Sequence, residues 1–154
     1  MEKTSCYSYF SICSSGEIQN GVGFVAAENS YFDPDHITEK LGIEPFETRK
    51  MGTPRKNGHG HYPFSDWVCC KQNEPALDVE EQCRKIVRQL RPLIPQLQEI
   101  KKEYNVDYSM IIVPHIHNEE NPILGFDSEI IEFCYHTGTE IAVDMYIYNN
   151  EYFT

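Results

Sequence analysis

Asp78-Val79-Glu80-Glu81-Gln82-Cys83-Arg84-Lys85-Ile86-Val87-Arg88-Gln89-Leu90-Arg91-Pro92-Leu93-Ile94-Pro95-Gln96-Leu97 is the stretch on which the fold turns. Val79, Cys83, Ile86, Val87, Leu90, Ile94, Leu97 and, further on, Tyr104 recur at helical spacing, so one stripe of this segment faces a core. Asp78 with Glu81 three residues later is a capping-box pattern, which fixes where the helix begins. Pro92 lacks an amide hydrogen and crowds the preceding turn, so a kink or break is expected near Arg91, with Pro95 opening a second helical piece.

On either side of this helix the period changes from 3.6 to 2. Val106 to Val113 and Thr139 to Tyr148 read as strands, the second alternating Ile141, Val143, Met145 and Ile147 against Ala142, Asp144, Tyr146 and Tyr148. Ser128 to His136 between them reads as a short helix that Gly138 ends. Toward the N-terminus, Cys6 to Ser14 sets Tyr7 and Tyr9 against Phe10 and Ile12, as in a strand with two differently solvated faces, followed by a turn at Ser14 to Gly16. Gly21 to Ala27 is a second short apolar run. Asp33-Pro34 before Asp35 to Leu41, closed by Gly42, carries helix punctuation at both ends.

Ile43 to Pro63 is broken by Gly52-Thr53-Pro54, Asn57-Gly58 and Gly60, so it reads as a long ordered loop with a short strand near Phe46 to Lys50. A strand from Tyr62 to Cys70 follows. The sum predicts one α+β domain over residues 1–154, with a mixed or antiparallel sheet and two or three helices mainly on one face, as in a ferredoxin-like sandwich.

Hydrophobic residues at 40% and charged residues at 24% place the chain among ordinary globular proteins. Its apolar runs are too short for a membrane span, and Ser8 and Ser11 interrupt the only N-terminal candidate for a leader, so a cytoplasmic protein is expected. The six cysteines contain no C-x-x-C pair and are read as buried thiols.

The net charge of −11 is unevenly distributed. Of 13 Lys and Arg residues, 11 fall between Arg49 and Lys102, and none follows Lys102, whereas ten Asp and Glu residues do. An acidic final third argues against nucleic-acid or anionic-membrane binding, which needs basic neutralising groups, and favours a basic protein partner.

Several pieces taken together resemble a known family. Phe32-Asp33-Pro34-Asp35-His36-Ile37-Thr38 running into Leu41-Gly42-Ile43-Glu44-Pro45, then Lys50-Met51-Gly52-Thr53-Pro54-Arg55, Trp67 and Ser128-Glu129-Ile130-Ile131-Glu132-Phe133 resemble the bacterial family called domain of unknown function 4279, from about Phe24 to Tyr148. Tyr7 to Gly21 reads as a strand and turn added before that family's first strand. The resemblance brings no catalytic residue or cofactor. Because small acidic bacterial proteins of this kind often sit beside toxin genes, it implies by analogy an immunity role.

No catalytic constellation stands out. No nucleophile elbow such as G-x-S-x-G occurs, Cys134 with His136 is too short a signal, and Glu119 with Glu120 reads as a solvated pair. His59 with His61 and His115 with His117 have the alternation of strand ligands but no recognised zinc motif, and are read as loop histidines rather than a metal site. Arg84, Arg88 and Arg91 form a basic helix stripe, read as solvated.

The expected function is therefore non-catalytic protein binding, with no cofactor: an immunity-type inhibitor that meets a basic toxin or nuclease through Glu129, Asp144, Tyr146, Tyr148, Glu151 and Tyr152. The alternative is a small-molecule or anion site, enzymatic or not, on the basic loop with Arg49, Lys50, Arg55, Lys56 and Trp67.

Overall fold

The computed structural model describes residues 2–73 and 77–148. Asp78 caps the central helix as the sequence requires, its Oδ1 accepting the Glu81 N–H at 3.3 Å. The Glu81 carboxylate does not return to complete the box but turns to Arg84. The helix, α2 (Val79–Leu90), passes at Pro92 through one 3-10 turn (Arg91–Leu93) into α3 (Ile94–Glu103), so the proline break falls where the missing amide predicts it.

Two shorter helices, α1 (Pro34–Leu41) and α4 (Ser128–Thr137), start on the side chains of Asp33 and Asp127 and end on Gly42 and Gly138. Both glycines have positive φ, 67° and 66°, a conformation that costs glycine nothing and lets the chain leave the helix at once.

The strands are β1 (Ser5–Ser14), β2 (Gly16–Gln19), β3 (Gly23–Ala26), β4 (Glu47–Arg49), β5 (Asp66–Gln72), β6 (Val106–His117), β7 (Thr139–Val143) and β8 (Tyr146–Tyr148). Six of them form one sheet in the order β4-β5-β1-β6-β7, with β8 also on β6. Pairing is antiparallel from β4 to β6, and β7 and β8 run parallel to β6. The mixed sheet in one α+β domain agrees with the expected class.

Three expectations are refined. The added N-terminal strand is β1, the middle of the sheet, paired on both edges. The apolar run near Gly21 belongs to a separate hairpin, β2 with β3, whose turn lies at residues 20–22 rather than at Ser14 to Gly16. The single strand expected from Thr139 to Tyr148 is split at Asp144 and Met145; the Asp144 N–H still donates to Ile112 O at 2.8 Å, so both parts keep to β6.

All four helices lie over one face. Phe10 meets Phe133 of α4 with ring centres 6.3 Å apart, Tyr108 donates its hydroxyl to Leu97 O of α3 at 2.6 Å, and the buried Trp67 indole N–H donates to Thr38 Oγ1 of α1 at 3.0 Å. Beneath α2, Ser8 is buried but satisfied: its hydroxyl donates to Gln82 Oε1 at 2.8 Å, while Gln82 Nε2 donates to Cys6 O at 2.9 Å. All six cysteines are free, and among the described residues no helix is long and apolar enough to cross a membrane.

Candidate functional site

Strand register decides which side chains share the face that the helices leave bare. Residues directly opposite in a ladder point to the same side. Tyr7 faces Val113, Tyr9 faces Ile111, Ser11 faces Ser109 and Cys13 faces Asp107. Outward from β1, Asp66 and Val68 join Arg49 and Glu47 on the same side; outward from β6, Glu140 lies beside Ser109 and Ala142 beside Ile111. The open face thus carries tyrosines down its middle and acids from β5, β6 and β7.

Its centre is a cleft of about 470 Å3 walled by Tyr7, Tyr9, Phe46, Phe64 and Ile111, with Asp66 and Arg49 at one side. The Asp66 carboxylate is nearly sealed from solvent. Oδ2 accepts from Arg49 Nη1 at 2.7 Å, and Oδ1 is buried with no hydrogen-bond partner among the described residues. Burial pushes the Asp66 carboxyl above its ordinary value, against the pull of Arg49. Burial likewise works against the Arg49 charge, but Asp66 and Glu47 outweigh it and hold that guanidinium firmly protonated. The neighbouring Cys13 thiol is pushed up to about 11 by burial and by Asp66 and Asp107, which keeps it protonated and unreactive near neutral pH.

An aromatic row continues along the face toward β8. Tyr9 meets Phe46 edge-on at 5.5 Å, Tyr7 stacks on His115 at 6.0 Å, and His115 stacks on Tyr146 at 5.0 Å. Lys71 lies 4.7 Å above the Tyr7 ring, a cation–π contact. Tyr146 donates its hydroxyl to Asp144 Oδ2 at 3.2 Å, and that carboxylate raises the tyrosine's pKa.

The residues singled out from sequence are divided by the fold. Asp144, Tyr146 and Tyr148 are exposed together at the β7 and β8 edge. Glu129 lies in the helix layer instead, where its Oε1 accepts from Arg88 Nε at 3.3 Å and Arg91 Nη1 at 3.1 Å. Glu151 and Tyr152 lie outside the described residues. Arg88 and Arg91 are exposed, as a solvated stripe requires, and pair with Glu129 at the surface, whereas Arg84 is mostly covered and ties α2 to Asp127 at the start of α4.

In the basic loop, Arg49, Arg55 and Lys56 gather around Tyr62 in a second hollow. Lys50 turns away to Asp33 Oδ2 at 3.2 Å, and Trp67 is wholly buried on the helix side, so neither belongs with them. The histidine pairs serve different places. His59 and His61 are exposed in the loop, whereas His115 and His117 sit in β6 rather than in a loop, and His117 stacks on Tyr148 at 4.4 Å. Among the described residues no group of three or more His, Cys, Asp or Glu is placed to hold a metal ion.

Sequence reasoning passed over Tyr9, Phe46, Asp66, Asp107 and Glu140. The alternation of Tyr7 and Tyr9 was the available signal, since it marks a strand face different from the apolar one. No curated protein and no solved structure matches the chain. A family model described as domain of unknown function (DUF4279) matches residues 4–148, which takes in β1 and so corrects its reading as an addition to the family's pattern. With nearly all of its length matched, the chain belongs to the DUF4279 family.

Proposed function

We propose that this is a non-catalytic protein-binding domain whose open sheet face takes a basic protein surface, in the manner of an immunity-type inhibitor of a toxin or nuclease. One observation carries the reading: Asp107 and Glu140 stand on the helix-free face with Tyr7 and Tyr9, and Asp144 and Tyr146 extend that mixture along its edge. Aromatic side chains supply large, stiff contact area, and acids around them steer a cationic partner and slow its escape. The family assignment and the chain's net charge of −11 are compatible with such a role.

The test is capture from host lysate at low and high salt, using the protein and a variant with Asp107→Lys, Glu140→Lys and Asp144→Lys. The reading expects a basic protein that is retained at low salt, released at high salt and not retained by the variant. Equal retention by the variant, or capture insensitive to salt, overturns it.

A further inference from the structure

The hollow in the basic loop measures about 550 Å3 and adjoins the central cleft, with which it shares Glu47, Arg49 and Phe64. Its chemistry is opposite to that of the β7 and β8 edge. Arg49, Arg55 and Lys56 converge there, in a protein whose charge is otherwise strongly negative.

The carboxylates nearby do not exhaust these cations. Asp66 and Glu47 hold Arg49, and Glu47 Oε1 also accepts from Lys56 Nζ at 3.4 Å, the one acceptor of that ammonium among the described residues. Arg55 has no carboxylate partner among the described residues. Its Nε donates to His61 O at 3.3 Å, and its terminal nitrogens donate to no acceptor there. Arg49 and Arg55 both lie over the Tyr62 ring, at 6.0 and 5.8 Å from its centre.

The loop that presents them is built rather than loose. Gly52 N donates to Tyr62 O, Tyr62 N to Thr53 O and Arg55 N to Gly60 O at 2.9 to 3.0 Å, and the Tyr62 hydroxyl accepts from Lys56 N at 3.1 Å. Donors held in place before binding lose little entropy on meeting an anion. Past Phe64 the adjoining cleft is aromatic, against Phe46 and Tyr9.

We propose that the hollow and the cleft together bind a small organic anion, a carboxylate or phosphate monoester carried on a flat apolar body. The head group meets Arg55 and Lys56 with Arg49 behind them, and the body passes Phe64 into the cleft between Tyr9 and Phe46. The site lies beyond the protein-binding reading and uses none of Asp107, Glu140 or Asp144.

The test compares phenyl phosphate, inorganic phosphate and phenol by thermal denaturation and by amide chemical-shift titration of the purified protein. Phenyl phosphate should raise the melting temperature in the millimolar range and shift amides of the loop and of β1, binding about tenfold more tightly than phosphate alone because the ring is buried. Arg55→Ala, at a half-exposed position, should weaken phenyl phosphate about tenfold, the loss expected for charge-assisted hydrogen bonds. Ile111→Trp, which fills the apolar end without touching the cations, should reduce phenyl phosphate to the level of phosphate. Absence of any shift with phenyl phosphate overturns the site, as does binding that Arg55→Ala leaves unchanged. Phenol binding as well as phenyl phosphate would equally overturn the anion subsite.

Discussion

Arg84 and Asp127, 43 residues apart in sequence, meet at the start of α4, where Arg84 Nε and Nη2 both donate to Asp127 Oδ2 at 3.1 and 3.0 Å. The same Asp127 caps its helix through Oδ1 and the Ile130 N–H at 3.0 Å, so one carboxylate begins α4 and ties it to α2.

That double use fixes a pH dependence. The Ile130 N–H and then Arg84 hold the Asp127 carboxyl below its ordinary value. Its ionisation therefore stabilises the fold fully above the ordinary carboxylate pKa of about 4, and the contribution is lost as pH falls through the lower folded value. Asp127→Asn keeps a capping oxygen but not the charge. Its melting temperature should lie below that of the parent protein at pH 7, with the gap closing in strong acid; a constant gap would place the effect in the cap alone.

Asp66 should behave in the opposite sense. Its carboxyl is raised by burial, so the native state holds its proton through a window where the unfolded chain has released it, and stability falls as pH rises through that window. Arg49→Met removes the opposing charge and should move the Asp66 titration further upward, as read by carboxyl carbon NMR. An unmoved or lowered titration would contradict the pairing.

Charge reversal separates the two acidic regions. Glu129→Lys should lower stability by loosening the α2 and α4 seam while leaving the rate of partner association nearly unchanged, because Glu129 is held by Arg88 and Arg91. Tyr9→Ala should do the reverse, costing about 2 kcal/mol or more of binding if it is the central anchor, with little change in melting temperature. Association kinetics and melting curves on both variants distinguish these outcomes.

Phe10 is wholly buried between Tyr108 and Phe133, and Phe10→Ala should cost about 3–5 kcal/mol by denaturant titration. Thr38→Val removes the acceptor of the Trp67 indole and should cost about 1–3 kcal/mol, since the N–H is left buried without a partner. Trp67 is the single tryptophan, so its emission reports the same loss directly.

The elements were largely legible because their signals are local. Asp33, Gly42 and Gly138 mark helix ends through contacts within a few residues, and Pro92 marks the break through its own missing hydrogen. The site was not legible for the converse reason. Whether Asp107 and Glu140 share a face with Tyr9 depends on the register of β1, β6 and β7, and a slip of one residue would send each side chain to the other face. Glu129 looked like part of an acidic surface because sequence composition does not register that Arg88 and Arg91, 41 and 38 residues earlier in the chain, lie across from it in space.

The central position of β1 has a consequence for synthesis. β1 leaves the ribosome first among the strands of the main sheet, yet its longer partner β6 follows only after α3, so Ser5 must wait for His115. At ordinary elongation rates that interval is roughly 5 to 20 s. A strand bearing Phe10 and Ile12 has two unpaired edges until β5 follows and one unpaired edge from then until β6, the condition under which nascent chains aggregate. The yield of native protein should therefore depend on translation speed and on chaperones that shelter extended apolar segments, more than its final stability does.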